Sequence, residues 1–408
     1  MTASHITIVG AGHGAGQLVA SLRSEGFKGG IRLIGEERHL PYQRPPLSKK
    51  FLSGEAGIDA VTLRPREFYD KEGVDLVLGV RAEAIDRTSS TVTLADGRTF
   101  EYEALVLATG TRARPIPVPG ARLERIQMLR GIDDSLALKE LLASPRRVVV
   151  VGGGYVGLEV AASAHKLGSR VVVVEALPRL MARVASPELA AYVLGVHRAN
   201  GVDVRLSTGV KAFQGSGASG VTGVAVEGEV IPADVVIVGI GALPNSEIAA
   251  AAGLAVDNGI LVDELMQTSD PRILAIGDCA CHPSRFTPTG RVRLESVQGA
   301  VDQAVTAAKT LTGKREPYDR VPWFWSDQYE ERLQMAGLPQ PDDATVVRRY
   351  PDPRQLAVFR VRGGRLTAVE AVNSGKDYMA GRRLIEMGTP VSPERLADPA
   401  VGAKQLLS

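Results

Sequence analysis

Hydrophobic residues in the first three quarters of the chain form short unbroken runs. Two of these runs, His5–Val9 and Val148–Val151, are rich in β-branched residues, and each leads into a glycine-rich turn. Strands that are buried on both faces of a parallel sheet show this pattern. After each turn the residues favour a helix, at about 17–25 and 155–167, and a second apolar strand follows. The pattern therefore predicts two strand–turn–helix–strand units and an α/β fold.

The pattern changes near residue 321, where apolar and polar residues begin to alternate. Alternation predicts the strands Thr345–Tyr350, Leu356–Val361 and Leu366–Val372, with a helix near Tyr378–Met387 after them. We expect an α+β tail with an antiparallel sheet. Between the two regions, the Gly/Ser-rich stretch from 215 to 220 predicts the exposed tip of a hairpin.

The first glycine turn has the spacing of a dinucleotide-binding site. Gly10, Gly12 and Ala15 provide a tight turn, a close approach for a pyrophosphate and close helix–strand packing. A carboxylate at Glu36, after the next strand, can accept hydrogen bonds from an adenosine ribose. Much later, a buried strand delivers Asp278 to the sheet edge where ligands bind. We favour a ligand contact for Asp278 over a role as a turn residue.

The second turn contains Gly152, Gly154 and Gly157, and its second strand ends at Glu175. Glu175 can accept from both ribose hydroxyls and would repel a 2′-phosphate, which favours NADH over NADPH. Arg179 and Arg183 lie near enough in sequence to offset part of that repulsion. Two dinucleotide sites in one chain indicate electron transfer between a resident flavin and an exchangeable nicotinamide. The alternative is a duplicated domain with one unused site.

Composition excludes several other classes. The chain has 408 residues, 48 basic and 46 acidic, with a net charge of +2, so no overall field favours nucleic acid. No apolar run is long enough to cross a membrane, and the first strand starts too early for a signal peptide to precede it. Cys279 and Cys281 are too close for an ordinary disulfide, which fits the cytoplasm, and the six His show no metal-ligand spacing. Both cysteines follow Asp278 on a segment that we expect to lead into a helix, as small packed residues.

Six stretches of the sequence together carry a resemblance to a known family. They are the two glycine turns with the Ala108-Thr109-Gly110 and Asp278 segments, Pro41-Tyr42-Gln43-Arg44-Pro45-Pro46-Leu47-Ser48-Lys49, and Pro322-Trp323-Phe324-Trp325-Ser326-Asp327-Gln328. In these blocks the chain resembles the FAD-dependent NADH:ferredoxin reductases of bacterial oxygenase systems. The resemblance implies a glutathione-reductase-like architecture: an FAD domain at 1–114 and 242–320, an NAD domain at 115–241 and a C-terminal domain at 321–408.

The resemblance also implies roles for individual residues. Lys49, Glu159 and Trp325 match residues beside the reacting rings, with Glu159 near the nicotinamide and paired with Lys49. The remaining matches are contacts to FAD, at Gly10, Gly12, Gly14, Ala15, Glu36, Arg44, Arg130, Asp278 and Val297, and to the nicotinamide cofactor, at Gly152, Gly154, Gly157, Glu175 and Gly241. Trp323 and Trp325 share one face of a strand, so one or both can instead be core residues.

The implied function is hydride transfer from NADH to FAD and release of single electrons to a [2Fe–2S] ferredoxin that serves a terminal oxygenase. The first helix has no cysteine, and Gln43 stands where thiol-dependent relatives have one, so we expect no thiol relay. Arg382 and Arg383 are candidates for partner docking, and the protein is expected to be a monomer or weak homodimer. Alternatives are a rubredoxin reductase, an NADH oxidase and, more remotely, a flavin-bound signalling protein.

Overall fold

The computed structural model describes residues 4–216 and 220–407, which divide into two compact units. The unit that we call the first comprises the described residues of Met1–Gln43 together with Ile58–Arg112 and Leu243–Trp323. The second comprises Arg44–Gly57, Ala113–Ala242 and the described residues of Phe324–Ser408. Each unit therefore combines segments that are far apart in the sequence.

The first unit is built on a parallel five-stranded sheet. Its strands, in spatial order, are Ile273–Ala275, Ala104–Leu107, His5–Val9, Gly30–Gly35 and Val74–Leu78. Apolar side chains of these strands are buried on both faces, as their unbroken hydrophobic runs predict. The strand Ile273–Ala275 pairs with Ala104–Leu107, so residues 276–278 emerge at the carboxyl edge of the sheet.

Helices and two smaller sheets complete this unit. The helices are His13–Ser24, Ile58–Val61, Arg66–Lys71, Glu247–Ala251 and Val297–Leu311. One small sheet contains Ala82–Asp86, Thr91–Leu94 and Thr99–Glu101, and the other contains Val256–Asp257, Gly259–Leu261, Ala280–Pro283 and Arg291–Arg293. The strands Thr111–Ala113 and Ala242–Pro244 are short.

The second unit repeats the parallel arrangement. Its sheet has the order Asp203–Arg205, Arg170–Val174, Arg147–Val151, Val235–Val238 and Ile126–Gln127. The accompanying helices are Ile132–Leu141, Tyr155–Lys166 and Pro187–Ala199. A three-stranded antiparallel sheet contains Ala212–Ser216, Gly220–Ala225 and Val230–Pro232.

The C-terminal residues of the second unit form a five-stranded sheet. Its order is Trp323–Gln328, Glu331–Gly337, Arg365–Val372, Leu356–Arg362 and Ala344–Arg349, and the last four strands pair antiparallel. Three helices follow: Gly375–Met387, Pro393–Ala397 and Ala403–Leu406. A buried ion pair connects the sheet to the first of these helices, with Arg348 Nη1 2.7 Å from Asp377 Oδ1.

Most predicted elements are present, with three differences. The first helix begins at His13, not near 17, because the glycine turn itself forms the first helical turn. The segment after Asp278 was expected to lead into a helix, but Cys281 lies in the strand Ala280–Pro283. The outer residues of the predicted hairpin tip, Gly215, Ser216 and Gly220, lie within the strands Ala212–Ser216 and Gly220–Ala225. Residues 217–219 of the tip lie outside the described part of the chain. The three-domain division stays a prediction.

Candidate functional site

The first glycine turn is shaped to receive a phosphate group. Gly10 has a φ of +106°, and a Cβ there would lie 2.1 Å from the carbonyl oxygen of Ala108, so only glycine fits. Gly12 is the N-cap of the helix His13–Ser24, and a Cβ on it would meet no atom within 4 Å. Open space beside the N-terminus of a helix is an anion-binding feature. Gly14 and Ala15, in the first turn of this helix, are buried.

Two further predicted FAD residues lie on other elements of the first unit. Asp278 is half-buried at the carboxyl edge of the sheet, and one of its carboxylate oxygens accepts from Thr111 Oγ1 at 3.2 Å. Arg293 donates to its backbone carbonyl at 3.0 Å. Val297 is the first residue of the helix Val297–Leu311, a position whose backbone N–H has no acceptor within the helix itself.

The second turn has the same construction. A Cβ on Gly152 would lie 2.4 Å from the Gly239 carbonyl oxygen, and one on Gly157 would lie 2.4 Å from that of Gly152. Gly154, the N-cap of the helix Tyr155–Lys166, again faces open space. Each turn therefore has the glycine cradle and helix N-terminus that a dinucleotide pyrophosphate requires.

The acidic residues after the two second strands are not equivalent. Val151 pairs with Val174, so Glu175 comes directly after the paired strand, and its carboxylate accepts from the N–H groups of Gly153 at 2.7 Å and Leu177 at 2.8 Å. In the first unit Val9 pairs with Ile34, which puts Gly35 in the place of Glu175. Glu36 is one residue further along and exposed.

Glu159 is the centre of a buried cluster in the second unit. Its side chain is 5% exposed, and its Oε1 lies 2.8 Å from Lys49 Nζ. Two hydroxyl groups also donate to it: Ser48 to Oε2 at 2.6 Å and Ser326 to Oε1 at 2.5 Å. The structure thus brings together the two predicted residues, Lys49 and Glu159, although they are 110 positions apart in the numbering.

The other predicted residues of the second unit lie on separate segments. Arg44 donates to the backbone carbonyl of Arg130 at 2.7 Å, so these two predicted FAD contacts are neighbours. Gly241 is exposed, with a φ of +106°. Trp325 is half-buried and alternates with Ser326 along its strand, so it faces away from Glu159. Trp323 is likewise half-buried.

Sequence reasoning missed the two serines that hold Glu159. Ser48 precedes Lys49 and Ser326 follows Trp325, so both lie inside blocks that carry the family resemblance. Serine is common, however, and nothing local distinguishes these hydroxyls from solvated ones. Burial is the distinguishing property, because Ser48 is 4% and Ser326 is 0% exposed.

Comparison with known proteins accounts for this arrangement. Residues 4–304 match the model of the pyridine nucleotide-disulphide oxidoreductases, and residues 323–407 match that of the reductase C-terminal domain. The chain belongs to the pyridine nucleotide-disulphide oxidoreductase family. Members bind FAD and NAD(P)H, so the predicted fold class and cofactors are confirmed, and the protein is an oxidoreductase.

Individual members of the family are similar over almost their whole length. Rhodocoxin reductase of Rhodococcus erythropolis is 47% identical, with 96% of this chain and 92% of that protein covered. The ferredoxin reductase for the CYP199A2 system of Rhodopseudomonas palustris is 41% identical with a TM-score of 0.95, covering 99% of this chain and 100% of that one. The reductase in a covalent putidaredoxin reductase–putidaredoxin complex is 40% identical with a TM-score of 0.95, and the match covers 99% of this chain and 98% of that one.

These similarities confirm the resemblance to ferredoxin reductases on which the sequence-based expectations rest. They do not test which side chains of this chain contact each cofactor, so those assignments stay predictions. In the described part of the chain, no helix combines the length and apolar character needed to cross a membrane.

Proposed function

We propose that the protein is an NADH-dependent ferredoxin reductase that takes a hydride from NADH and passes single electrons to a [2Fe–2S] ferredoxin. That ferredoxin would feed a monooxygenase or a ring-hydroxylating dioxygenase. The observation that carries the proposal is the presence of two complete glycine turns, each on its own parallel sheet, in a family whose similar members are named as reductases of such small redox proteins.

Each turn is assigned one cofactor. Gly10, Gly12, Gly14, Ala15 and Glu36 would hold the pyrophosphate and ribose of FAD, and Arg44, Arg130, Asp278 and Val297 would complete its site. Gly152, Gly154, Gly157, Glu175 and Gly241 would hold NADH. When bound, FAD supplies chemistry that side chains lack, because it accepts a hydride and releases electrons one at a time.

Lys49, Glu159 and Trp325 are the residues we place beside the reacting rings. A carboxylate at Glu159 can accept a hydrogen bond from the amide of the nicotinamide, and the Lys49 ammonium can stabilise negative charge on a reduced ring. The hydrogen bonds that orient Glu159 support this role, since a carboxylate held at both oxygens presents a fixed acceptor.

Preference for NADH follows from Glu175. Two backbone N–H groups hold its carboxylate at the end of the second strand, where a ribose is bound in this type of unit. Hydroxyl groups of a ribose can donate to it, whereas a 2′-phosphate would bring like charges together.

Electrons are proposed to leave the flavin without a thiol intermediate. The chain has two cysteines, and Cys279 and Cys281 are 0% and 6% exposed. Burial raises the pKa of both thiols, which disfavours the reactive thiolate. Free buried thiols also fit a reducing cytoplasm, where we place the protein as a monomer or weak homodimer.

We retain the division into FAD, NAD and C-terminal domains as part of the proposal.

The test follows electrons from NADH to an acceptor. The purified, FAD-loaded protein is mixed anaerobically with NADH, and candidate [2Fe–2S] ferredoxins or a rubredoxin are then added while reduction is followed by absorbance. We expect bleaching of the flavin and fast reduction of a ferredoxin. Fast reduction of rubredoxin alone, or rapid oxygen consumption without any acceptor, would replace the proposal by a rubredoxin reductase or an NADH oxidase. Failure of NADH to bleach the flavin would refute it.

A further inference from the structure

A row of buried polar side chains begins at Glu159, and all of its members belong to the second unit. Ser326 Oγ lies 2.5 Å from Glu159 Oε1, Gln328 Nε2 lies 3.3 Å from Ser326 Oγ, and His197 Nε2 lies 2.9 Å from Gln328 Oε1. Ser326 and Gln328 point to the same side of the strand Trp323–Gln328, and His197 is in the last turn of the helix Pro187–Ala199. Ser326, Gln328 and His197 are 0%, 2% and 0% exposed.

The direction of every hydrogen bond in this row follows from the first one. An ionised carboxylate only accepts, so Ser326 must donate its single proton to Glu159. Its oxygen can then only accept from Gln328, which fixes the amide nitrogen on that side and the amide oxygen toward His197. His197 must therefore carry its proton on Nε2. All three donors point toward Glu159.

The state of His197 agrees with this direction. Burial lowers its pKa, so the imidazole is neutral near neutral pH and carries one ring proton. Its Nδ1 has no hydrogen-bond partner among the described residues, as expected when the proton is on Nε2. The ring of Tyr329 lies edge-on to the imidazole, with centroids 5.2 Å apart, which restricts its orientation.

From this geometry we infer that Ser326, oriented in turn by Gln328 and His197, is a positioning residue for Glu159 that sets the affinity for the nicotinamide cofactor. Oε1 of Glu159 is occupied by Lys49 and Ser326, whereas Oε2 receives only Ser48 among the described residues. A carboxylate oxygen accepts about two hydrogen bonds. The anchored Oε1 thus leaves capacity on Oε2 for an amide donor.

Without Ser326, Lys49 would be the only described partner of Oε1. A lysine ammonium on a flexible stem imposes little direction, unlike a buried hydroxyl whose own acceptor site is filled. The carboxylate would then rotate more freely and lose part of its pre-organisation for the nicotinamide amide. This inference rests on the proposed function, because it assigns Glu159 to the nicotinamide.

The test measures binding of NAD+ to the oxidised, FAD-loaded protein by titration calorimetry. We expect Ser326→Ala to raise the Kd about tenfold, because the cofactor must then order the Glu159 carboxylate when it binds. Ser326→Thr, which keeps the hydroxyl, is expected to restore most of the affinity. Ser169→Ala is the matched control, since Ser169 is a buried serine of the same unit that accepts from the N–H of Arg146 and does not contact Glu159.

Two further measurements make the result decisive. Stopped-flow bleaching of the flavin at several NADH concentrations should show a weaker apparent affinity in Ser326→Ala with a smaller change in the limiting rate. His197→Phe leaves Ser326 and Glu159 in place and should raise the Kd for NAD+ about threefold. This variant tests the inference if Ser326→Ala does not retain FAD. Wild-type affinity in both variants would overturn the inference. A wild-type protein that neither binds NAD+ nor bleaches with NADH would instead refute the proposed function.

Discussion

At the scale of single residues, the Glu175 carboxylate accepts hydrogen bonds from two backbone N–H groups. The N–H groups of Gly153 and Leu177 each donate to one of its carboxylate oxygens. A Cβ on Gly153 would lie 3.1 Å from the same carboxylate, so the glycine leaves room for the acid. Glycine at this position therefore leaves room for the Leu180 side chain, which would lie 2.5 Å from a Cβ, and for the carboxylate.

Replacing Glu175 by alanine tests the cofactor assignment. Glu175→Ala removes the ribose acceptor and the negative charge, so kcat/KM for NADH should fall about tenfold or more while that for NADPH falls less. Steady-state kinetics with both cofactors would measure the ratio, with Glu227→Ala at an exposed position as the control. An unchanged NADH-to-NADPH ratio would show that Glu175 does not contact the ribose.

A pair of glycine variants separates the two turns. A methyl group on Gly12 or Gly154 would meet no protein atom within 4 Å, so Gly12→Ala and Gly154→Ala should fold. Each methyl would occupy the space assigned to a pyrophosphate. We expect Gly12→Ala to lose FAD, and Gly154→Ala to keep its flavin absorbance but bind NADH at least about tenfold more weakly. Normal NADH binding by Gly154→Ala would place the nicotinamide cofactor elsewhere.

At the scale of elements, the two parallel sheets repeat one motif with a local exchange of residues. Ala11 in the first turn corresponds to Gly153 in the second, and Gly35 corresponds to Glu175. A Cβ on Gly35 would lie 2.6 Å from the Cβ of Ala11, so a side chain at position 35 would collide with Ala11. In the second unit the small residue is instead Gly153, and the larger one is Glu175. The two sheet edges at which we propose ribose binding therefore differ in their side chains, although both follow a glycine turn of the same spacing.

Ser186 is the N-cap of the helix Pro187–Ala199, and a buried acid from the C-terminal sheet holds its backbone. Glu370 accepts from the backbone N–H of Ser186 at 2.9 Å, and Ser186 Oγ accepts from the N–H of Leu189. Burial raises the pKa of Glu370, although the hydrogen bonds from Ser186 oppose that effect. The folded state therefore holds this proton more tightly than the unfolded chain does.

This shift predicts a pH dependence of stability. The contribution of Glu370 is greatest below the ordinary Glu pKa and is lost as the pH rises through the raised folded pKa, by about 1.4 kcal/mol for each unit of pKa difference. Glu370→Gln keeps an acceptor for Ser186 and removes the titration. Urea unfolding at about pH 5 and about pH 8 should show a smaller loss of stability in the variant. An equal loss of unfolding free energy between the two pH values in variant and wild type would contradict the expectation. Glu227→Gln, at an exposed position, is the control.

At the scale of the whole molecule, the route of electrons depends on whether a thiol takes part. The Cys279 side chain is buried against the carbonyl groups of Leu107 and Ile276, and Cys281 lies within the strand Ala280–Pro283. Both behave as small core residues. The family name includes disulphide reduction, but neither cysteine of this chain has the exposure that such chemistry requires.

The double variant Cys279→Ala/Cys281→Ala should therefore retain electron transfer. We expect NADH-driven reduction of the ferredoxin to stay within about threefold of wild type, with a loss of stability of about 1 kcal/mol per buried thiol. A thiol-alkylating reagent should label the wild-type protein only after unfolding, which mass spectrometry would detect. Loss of transfer to ferredoxin with normal bleaching by NADH would demonstrate a thiol relay.

Some residues of the site follow from local sequence signals. Gly10, Gly152 and Glu175 were predicted because a tight turn after a strand and an acid at the next strand tip are short-range features. Lys49 and Glu159 were assigned only through the family resemblance, since neither has a local signal of its own. Ser48, Ser326, Gln328 and His197 were missed, because a buried hydrogen-bond row joins segments that are more than 100 residues apart in the chain.

The amino-acid sequence was enough to predict the two glycine turns, the parallel strands beside them, the class of cofactor and the absence of a paired-cysteine motif. These depend on hydrophobic period and turn chemistry, which act over a few neighbouring residues. The tertiary structure was needed to show that Gly35 occupies the position in the first sheet that corresponds to Glu175, and to show which side chains bind Glu159. Strand register and buried partners are set by packing between distant segments, so they have no counterpart in the local pattern.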